Sequence, residues 1–184
     1  MKTLKTFAAA TATVALLATG AIAANPEVGG APMFENKNIV ENAVNSADHT
    51  TLVAAVKAAG LVDTLASEGP FTVFAPVNSA FDALPAGTVD TLLKPENKDM
   101  LTKVLTAHVV AGNWSAADIA AKARASSDGF YHFNAVSGDA LSAQVKGNNV
   151  YIIDESGNAS RVTIADVNQS NGVIHVVNSV LVPK

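Results

Sequence analysis

The sequence predicts an α+β fold, with helices in the first half of the chain and antiparallel strands in the second. Apolar residues recur at helical spacing in the first half, as at Leu101, Val104 and Leu105. Beyond Gly129 the hydrophobic period changes to two, as in residues 141–145. Two nearly unbroken runs of β-branched and aromatic residues, one in each half, are typical of buried strands.

Residues 1–23 have the layout of a secretory signal peptide. Lys2 and Lys5 supply the charged start, residues 7–18 the short apolar run, and residues 21–23 an Ala-Ile-Ala cleavage site. An N-terminal membrane helix is the alternative. The run is rich in Ala and Thr, however, and falls well short of the roughly 20 strongly apolar residues that span a bilayer. We therefore expect export and cleavage.

A flexible leader is predicted for residues 24–37, which mix Asn, Pro and Gly without periodicity. The folded domain is predicted to span residues 38–184, a length that can bury a core of its own. Asn38 with Glu41 resembles a capping box that opens the first helix, and Gly60 suits the left-handed end of the second helix.

More helix starts follow the first buried run. Asn78 and Thr88 are predicted to cap two short helices, and Pro95 is predicted to open the longest helix, which ends near His108. Since His108 continues the apolar stripe of that helix, its imidazole is expected to be buried. Ser115 marks one further helix start.

The second half is predicted to contain strands joined by tight turns. Residues 141–145 alternate between apolar and polar, and turns at residues 147–149 and 154–158 separate this strand from two more. A turn at Asn171 and Gly172 leads into the final buried run. No segment repeats, so the pattern indicates one domain.

The composition argues against several classes of function. The formal net charge is −4 without a basic face, which argues against nucleic-acid binding. Because the chain has no cysteine, it has no disulfide framework and no thiolate metal site, and packing alone must stabilise it. After the N-terminal run, no segment is apolar enough to serve as a transmembrane anchor.

No group of residues indicates catalysis. The histidines His49, His108, His132 and His175 are scattered, and the sequence has no zinc-binding His pair, nucleophile elbow or phosphate-binding Gly loop. His108 and His175 have the apolar neighbours that are typical of core histidines. We therefore predict a protein that is not an enzyme, with no metal and no cofactor.

The two buried runs, at residues 69–81 and 170–183, and the short segment 107–110 between them resemble the signature blocks of the fasciclin (FAS1) domain family. The resemblance implies a wedge-like antiparallel β-sandwich with a layer of helices, in which both blocks pack at the centre. It also implies an adhesion module without enzymatic activity, here a single-domain secreted member of bacterial type. The residues that carry the motif are Phe74, Pro76, Asn78, Phe81, His108, Ile174, His175 and Asn178.

Asn97, Lys98 and Asp99 are the candidate binding residues. With Met100 and Leu101 they resemble an Asn-Lys-Asp-Ile-Leu motif that is tied to integrins in animal members of the family. The alternative is an ordinary solvated first turn of a helix, with Asp99 favoured by the helix dipole and Met100 and Leu101 facing inward.

We predict a secreted or periplasmic, cell-surface protein that acts in cell adhesion or matrix association. The expected partner is a cell-surface protein or a polysaccharide, with homophilic contact included. Ala107 stands where animal members carry a tyrosine before the histidine, which argues against integrin recognition there. A small-molecule or lipid-binding envelope protein with a cleft between helices and sheet is the alternative. An envelope stress protein without a fixed partner is a third hypothesis.

Overall fold

The computed structural model describes residues 25–184. The predicted signal peptide lies outside these residues. Among them, no helix has both the length and the apolar character needed to cross a bilayer.

Within the described part of the chain, helices dominate the first half and strands the second, which confirms the α+β class. The helices are α1 (Ile39–Ala43), α2 (Thr50–Ala59), α3 (Val62–Ala66), α4 (Asn78–Asp82), α5 (Thr88–Leu92), α6 (Lys98–Thr106) and α7 (Ala116–Ala125), with 3-10 turns at Ala47–His49 and Pro95–Asn97. The strands are β1 (Glu27–Val28), β2 (Ala31–Pro32), β3 (Phe71–Pro76), β4 (Val109–Ala111), β5 (Phe130–Asn134), β6 (Ala140–Lys146), β7 (Asn149–Ile153), β8 (Ala159–Gln169) and β9 (Gly172–Val177).

The large sheet places the two signature strands side by side at its centre, as the resemblance implies. Its strand order is β4-β3-β9-β8-β7-β6-β5. β3 and β9 run parallel, with Val73 opposite Ile174, whereas the other neighbours run antiparallel. The sheet is therefore mixed, which corrects the expectation of a wholly antiparallel one. Beyond β5, the Val136 N–H donates to the Val109 carbonyl on β4 at 2.7 Å, so the two ends of the sheet approach each other.

Both faces of the central strands are buried. Val73 and Ala75 on β3 pack in an apolar cluster with α1 to α6, whereas Phe74 between them packs in a second cluster with α7 and strands β5 to β7. Alternate residues of a strand point to opposite faces, so a strand that is covered on both sides is apolar at nearly every position. This explains the unbroken apolar runs in the sequence.

β8 is bent by register shifts between Val162 and Val167. In the bend Asp166 takes a left-handed conformation with φ of 57°, which is uncommon outside glycine. Its N–H donates to His175 Nδ1 at 3.2 Å, and its carboxylate accepts a hydrogen bond from the Ala116 N–H at 2.7 Å. The bend thereby ties the last strand and the start of α7 to the same residue.

Residues 27–33 differ from the flexible leader that the sequence predicts. β1 and β2 pair as a hairpin, and Val28 and Met33 are buried in the core cluster. The Gly-rich composition has a local cause, since Gly29 and Gly30 form the turn with φ of 59° and 73°. The hairpin is therefore packed against the domain. The predicted start of the domain at residue 38 stays a prediction.

The predicted starts of α1 and α7 and the predicted end of α2 are present in the structure. Asn38 and Ser115 each form a full capping box with the acidic residue three positions later, and Gly60 ends α2 in the left-handed conformation. Thr88, however, is the first residue of α5, whose cap position is Gly87. Nor does α6 start at Pro95: it is a nine-residue helix after a 3-10 turn, shorter than α2 and α7.

Asn78 stabilises a different helix from the one that the sequence predicts. The cap position of α4 is Val77. Asn78 Oδ1 instead accepts hydrogen bonds from the Thr51 N–H and the Thr50 hydroxyl, both at 3.1 Å, at the start of α2. Its Nδ2 donates to the Ala47 carbonyl at 2.8 Å. The amide thus caps a helix that lies near it in space and not along the chain.

Replacing Asn78 with alanine should lower the free energy of unfolding by about 1–2 kcal/mol, because the α2 terminus loses its cap. Urea denaturation monitored by circular dichroism measures the change. Ser79→Ala, at the exposed next position of α4, is the matched control and should leave the midpoint nearly unchanged. Equal midpoints for the two variants would contradict the capping role.

Candidate functional site

The first turn of α6 places two of the three candidate binding residues on the surface. Lys98 and Asp99 are exposed. Asn97 is half-buried, and its Nδ2 donates to the Thr91 carbonyl of α5 at 2.7 Å. Asn97 therefore joins α5 to α6, and only the charged pair is free to meet a partner.

Met100 contradicts the expectation that it faces inward. Its side chain is 59% exposed, whereas Leu101, Val104 and Leu105 form the buried stripe of α6. Each helical residue is rotated by about 100° from the one before it, so a residue adjacent to Leu101 lies at the margin of that stripe. Met100 therefore adds an exposed apolar side chain next to the charged pair.

Met100 forms one wall of a surface groove of about 500 Å³, here called the α6 groove. The opposite wall comes from the C-terminal segment, where Val182 is 37% exposed. Charged side chains lie along its rim. The lining residues are Leu84, Thr88, Leu92, Asp99, Met100, Lys103, Val104, Val180, Val182, Pro183 and Lys184.

His108 holds the two walls of the α6 groove together. It is 2% exposed, which confirms the predicted burial. Its Nδ1 lies 2.7 Å from the Val104 carbonyl, and its Nε2 accepts the Leu181 N–H at 2.9 Å. Val104 belongs to α6, and Leu181 lies in the C-terminal wall. The imidazole therefore fixes the distance between the walls without reaching the surface.

These contacts require a neutral His108 that carries its proton on Nδ1, because Nε2 must accept. Burial lowers its pKa from the ordinary 6.5 to about 4, although the hydrogen bond to the Val104 carbonyl acts in the opposite direction. His175 is similarly bridged, with Nδ1 accepting from Asp166 and Nε2 at 2.8 Å from the Trp114 carbonyl, and burial lowers its pKa too. Both histidines are structural.

Beside the groove, Lys103 reaches a buried carboxylate. Its Nζ lies 3.5 Å from Asp139 Oδ1 and also donates to the Lys184 carbonyl. Asp139 is buried, and its other oxygen, Oδ2, has no hydrogen-bond partner among the described residues. The half-exposed ammonium therefore serves to neutralise this carboxylate and to hold the end of the C-terminal wall.

The other motif residues are also structural. His175 stacks on the Phe74 ring with centroids 5.7 Å apart. Asn178 Oδ1 accepts the Arg161 N–H at 2.8 Å and so joins β9 to β8. The remaining motif side chains are all buried: Phe74, Pro76, Phe81 and Ile174.

The arrangement offers little for catalysis. Residues 25–184 contain no cluster of three or more His, Cys, Asp or Glu side chains that could hold a metal ion. The exposed His132 does lie between Ser142 Oγ and Asp128 Oδ2, at 2.9 Å from each. Hydrogen bonds from Ser126 and from the Phe130 N–H lower the pKa of Asp128, together with the bond to His132. His132 and Asp128 are exposed to solvent, so this arrangement does not exclude water from a substrate.

Comparison with known proteins identifies the family. The fasciclin domain profile matches residues 47–183. The chain belongs to the fasciclin family. Protein sll1483 of the cyanobacterium Synechocystis is 51% identical over 145 residues, which cover 79% of this chain and 73% of that protein. The immunogenic protein MPB70 of Mycobacterium bovis is 36% identical over 146 residues, which cover 77% of this chain and 66% of that protein.

A solved structure supports the fasciclin fold. The FAS1 domain pair from the insect cell adhesion molecule Fasciclin I aligns with a TM-score of 0.69. The alignment covers 79% of this chain and 50% of that one, at 17% sequence identity. At this identity the likeness shows the shared fold alone.

Ala107, the position at which this fasciclin domain departs from the family motif before His108, is buried. Ala107, before His108, is 1% exposed and faces the interior at the end of α6. It therefore adds nothing to the surface next to the α6 groove. A short motif in the sequence predicts the charged pair as binding residues, but nothing local in the sequence indicates the groove, because the C-terminal wall lies far from α6 along the chain.

Proposed function

We propose that this fasciclin domain is an exported, non-catalytic module for cell adhesion or matrix association, and that it binds through the α6 groove and the adjacent Lys98 and Asp99. The main support for binding at this groove is that Met100 and Val182 are both exposed on its facing walls. Contiguous apolar surface with a polar rim marks interaction sites more often than scattered apolar residues do.

The chemistry of the groove suits a cell-surface protein or polysaccharide as the partner. Apolar walls can bury a side chain or the carbon face of a sugar ring, and Lys98 and Asp99 can pair with charges or hydroxyl groups. A second copy of the domain is included among these partners, because each copy carries both signs of charge beside the same groove. Membership of the fasciclin family supports an adhesive role, and no metal or cofactor is required for it.

Adhesion is expected to be weak for a single domain and strong for many copies. One groove buries little surface, whereas presentation of many copies can raise apparent affinity by roughly 10²–10⁴ without new contacts. Beads coated with the mature domain should therefore adhere to bacterial cells or extracellular polymer above the level of blank beads. Coated beads that never exceed blank beads would refute the adhesive role.

A triple substitution tests the site separately from the function. Lys98→Ala with Asp99→Ala and Met100→Ser should reduce bead adhesion strongly while leaving the fold intact, because all three side chains are exposed. Lys57→Ala with Asp63→Ala removes the same charge types from another exposed surface and should leave adhesion unchanged. If the triple variant still adheres normally, the α6 groove is not the binding surface.

A further inference from the structure

A narrow apolar crevice of about 50 Å³ lies between the helices and the sheet, and it shares no lining residue with the α6 groove. Its floor includes the buried side chains Val73 and Ile174 of the two central strands. Its outer side is formed by Val40 and Ala43 of α1 and Val53 of α2, which are only half-buried. The crevice therefore runs from the helical surface toward the sheet.

The few polar groups on its wall are already paired with protein atoms. Ser46 Oγ lies 2.9 Å from His49 Nδ1, and His49 Nε2 lies 3.4 Å from the Ala75 carbonyl. Both nitrogens of His108 are engaged as well. A water molecule in the crevice would find few partners, and apolar cavities of this kind stay dry and accept hydrocarbon. The interior thus selects an apolar group.

The mouth of the crevice carries a positive charge. Lys57 lines it one helical turn after Val53, and its side chain is exposed. The ion pairs found among residues 25–184 are Lys103 with Asp139 and His132 with Asp128, so Lys57 belongs to neither. A lysine stem packs along apolar surface while its ammonium stays in water, where it can pair with an anion.

We propose that the crevice binds a single-chain aliphatic carboxylate of the fatty-acid class, with the tail inside and the carboxylate at Lys57. Pockets for whole ligands usually enclose about 300–1,000 Å³. A space of about 50 Å³ holds only the end of a thin chain, so we place the rest of the tail outside it, against the half-buried Val40 and Val53 at the mouth. The site is independent of adhesion through the α6 groove.

Decanoate, titrated below its micelle concentration, is the probe, with binding measured by calorimetry. Saturable binding is expected. Ala43→Leu fills the outer side of the crevice and should weaken binding about tenfold, the loss expected when about two methylene groups stay outside. Ala58→Leu, the same substitution at an exposed position of α2, should not change the affinity. If Ala43→Leu does not fold, Val53→Phe replaces it.

Lys57→Gln tests the contact of the carboxylate separately from the contacts of the tail. It should weaken decanoate binding about two- to fivefold, as expected for an exposed ion pair, and leave decanol binding unchanged. Absence of saturable decanoate binding, or equal binding by the Ala43→Leu and Ala58→Leu variants, would overturn the proposal. Equal weakening of decanoate and decanol by Lys57→Gln would overturn the assigned place of the carboxylate.

Discussion

Replacing His108 with alanine should lower the free energy of unfolding by about 3–5 kcal/mol. The Val104 carbonyl and the Leu181 N–H lose their partners in the interior, and each unsatisfied buried group costs about 1–3 kcal/mol. The missing ring also leaves a cavity next to α6. Urea denaturation at neutral pH measures the loss, and bead adhesion should fall as well, because the walls of the α6 groove are no longer joined.

His132→Ala is the control for this prediction. His132 is an exposed strand histidine whose contacts are to side chains at the surface. Its loss should shift the urea midpoint little. If the two histidine variants have the same midpoint, His108 does not hold α6 to the C-terminal segment.

Stability should fall as the pH is lowered from about 6.5 to about 4. The folded protein holds the pKa of His108 at about 4, whereas the unfolded chain restores the ordinary 6.5. In this window the unfolded state binds the extra proton, so acid favours unfolding, and His108 alone accounts for about 3 kcal/mol. Burial lowers the pKa of His49 and His175 in the same direction, which adds to the effect.

Urea midpoints measured across this pH range test the prediction. His108→Gln keeps a donor and an acceptor but cannot titrate, so its stability should depend less on pH between 6.5 and 4. Hydrogen bonds from Ser115 and Ser126 lower the pKa of Asp118 and Asp128, and the stability that these carboxylates contribute is lost at still lower pH. If the urea midpoints of the wild-type and His108→Gln proteins depend equally steeply on pH, His108 is not the group that causes the loss of stability.

Local signals in the sequence predicted the fold well where local physics decides it. The capping boxes at Asn38 and Ser115 need only neighbours along the chain, and both are present. Asn78 failed as a local cap because its amide meets the start of α2, a contact between residues 27 positions apart. The parallel pairing of β3 and β9 could not be read from the sequence either, since an apolar run does not reveal the direction of its neighbour.

The candidate site was predicted only in part for the same reason. The charged pair Lys98 and Asp99 stands on one helical turn, so a short motif in the sequence is enough to predict it as a candidate. The groove beside it is lined by both Met100 and Val182, and their distance along the chain hides that they line the same groove. His108 appeared in the sequence as a core histidine, but its Leu181 partner, and with it the link between the walls, required the structure.

The pairing of β3 with β9 has a consequence for how the chain folds. The two strands at the centre of the sheet are about a hundred residues apart along the chain, so their contact closes a long loop. Contacts of this kind raise the contact order and slow folding. Until β9 has been synthesised, β3 lacks its central neighbour, and the nascent chain is expected to remain open and susceptible to proteases. Folding should therefore begin late, after nearly all of this domain has been made.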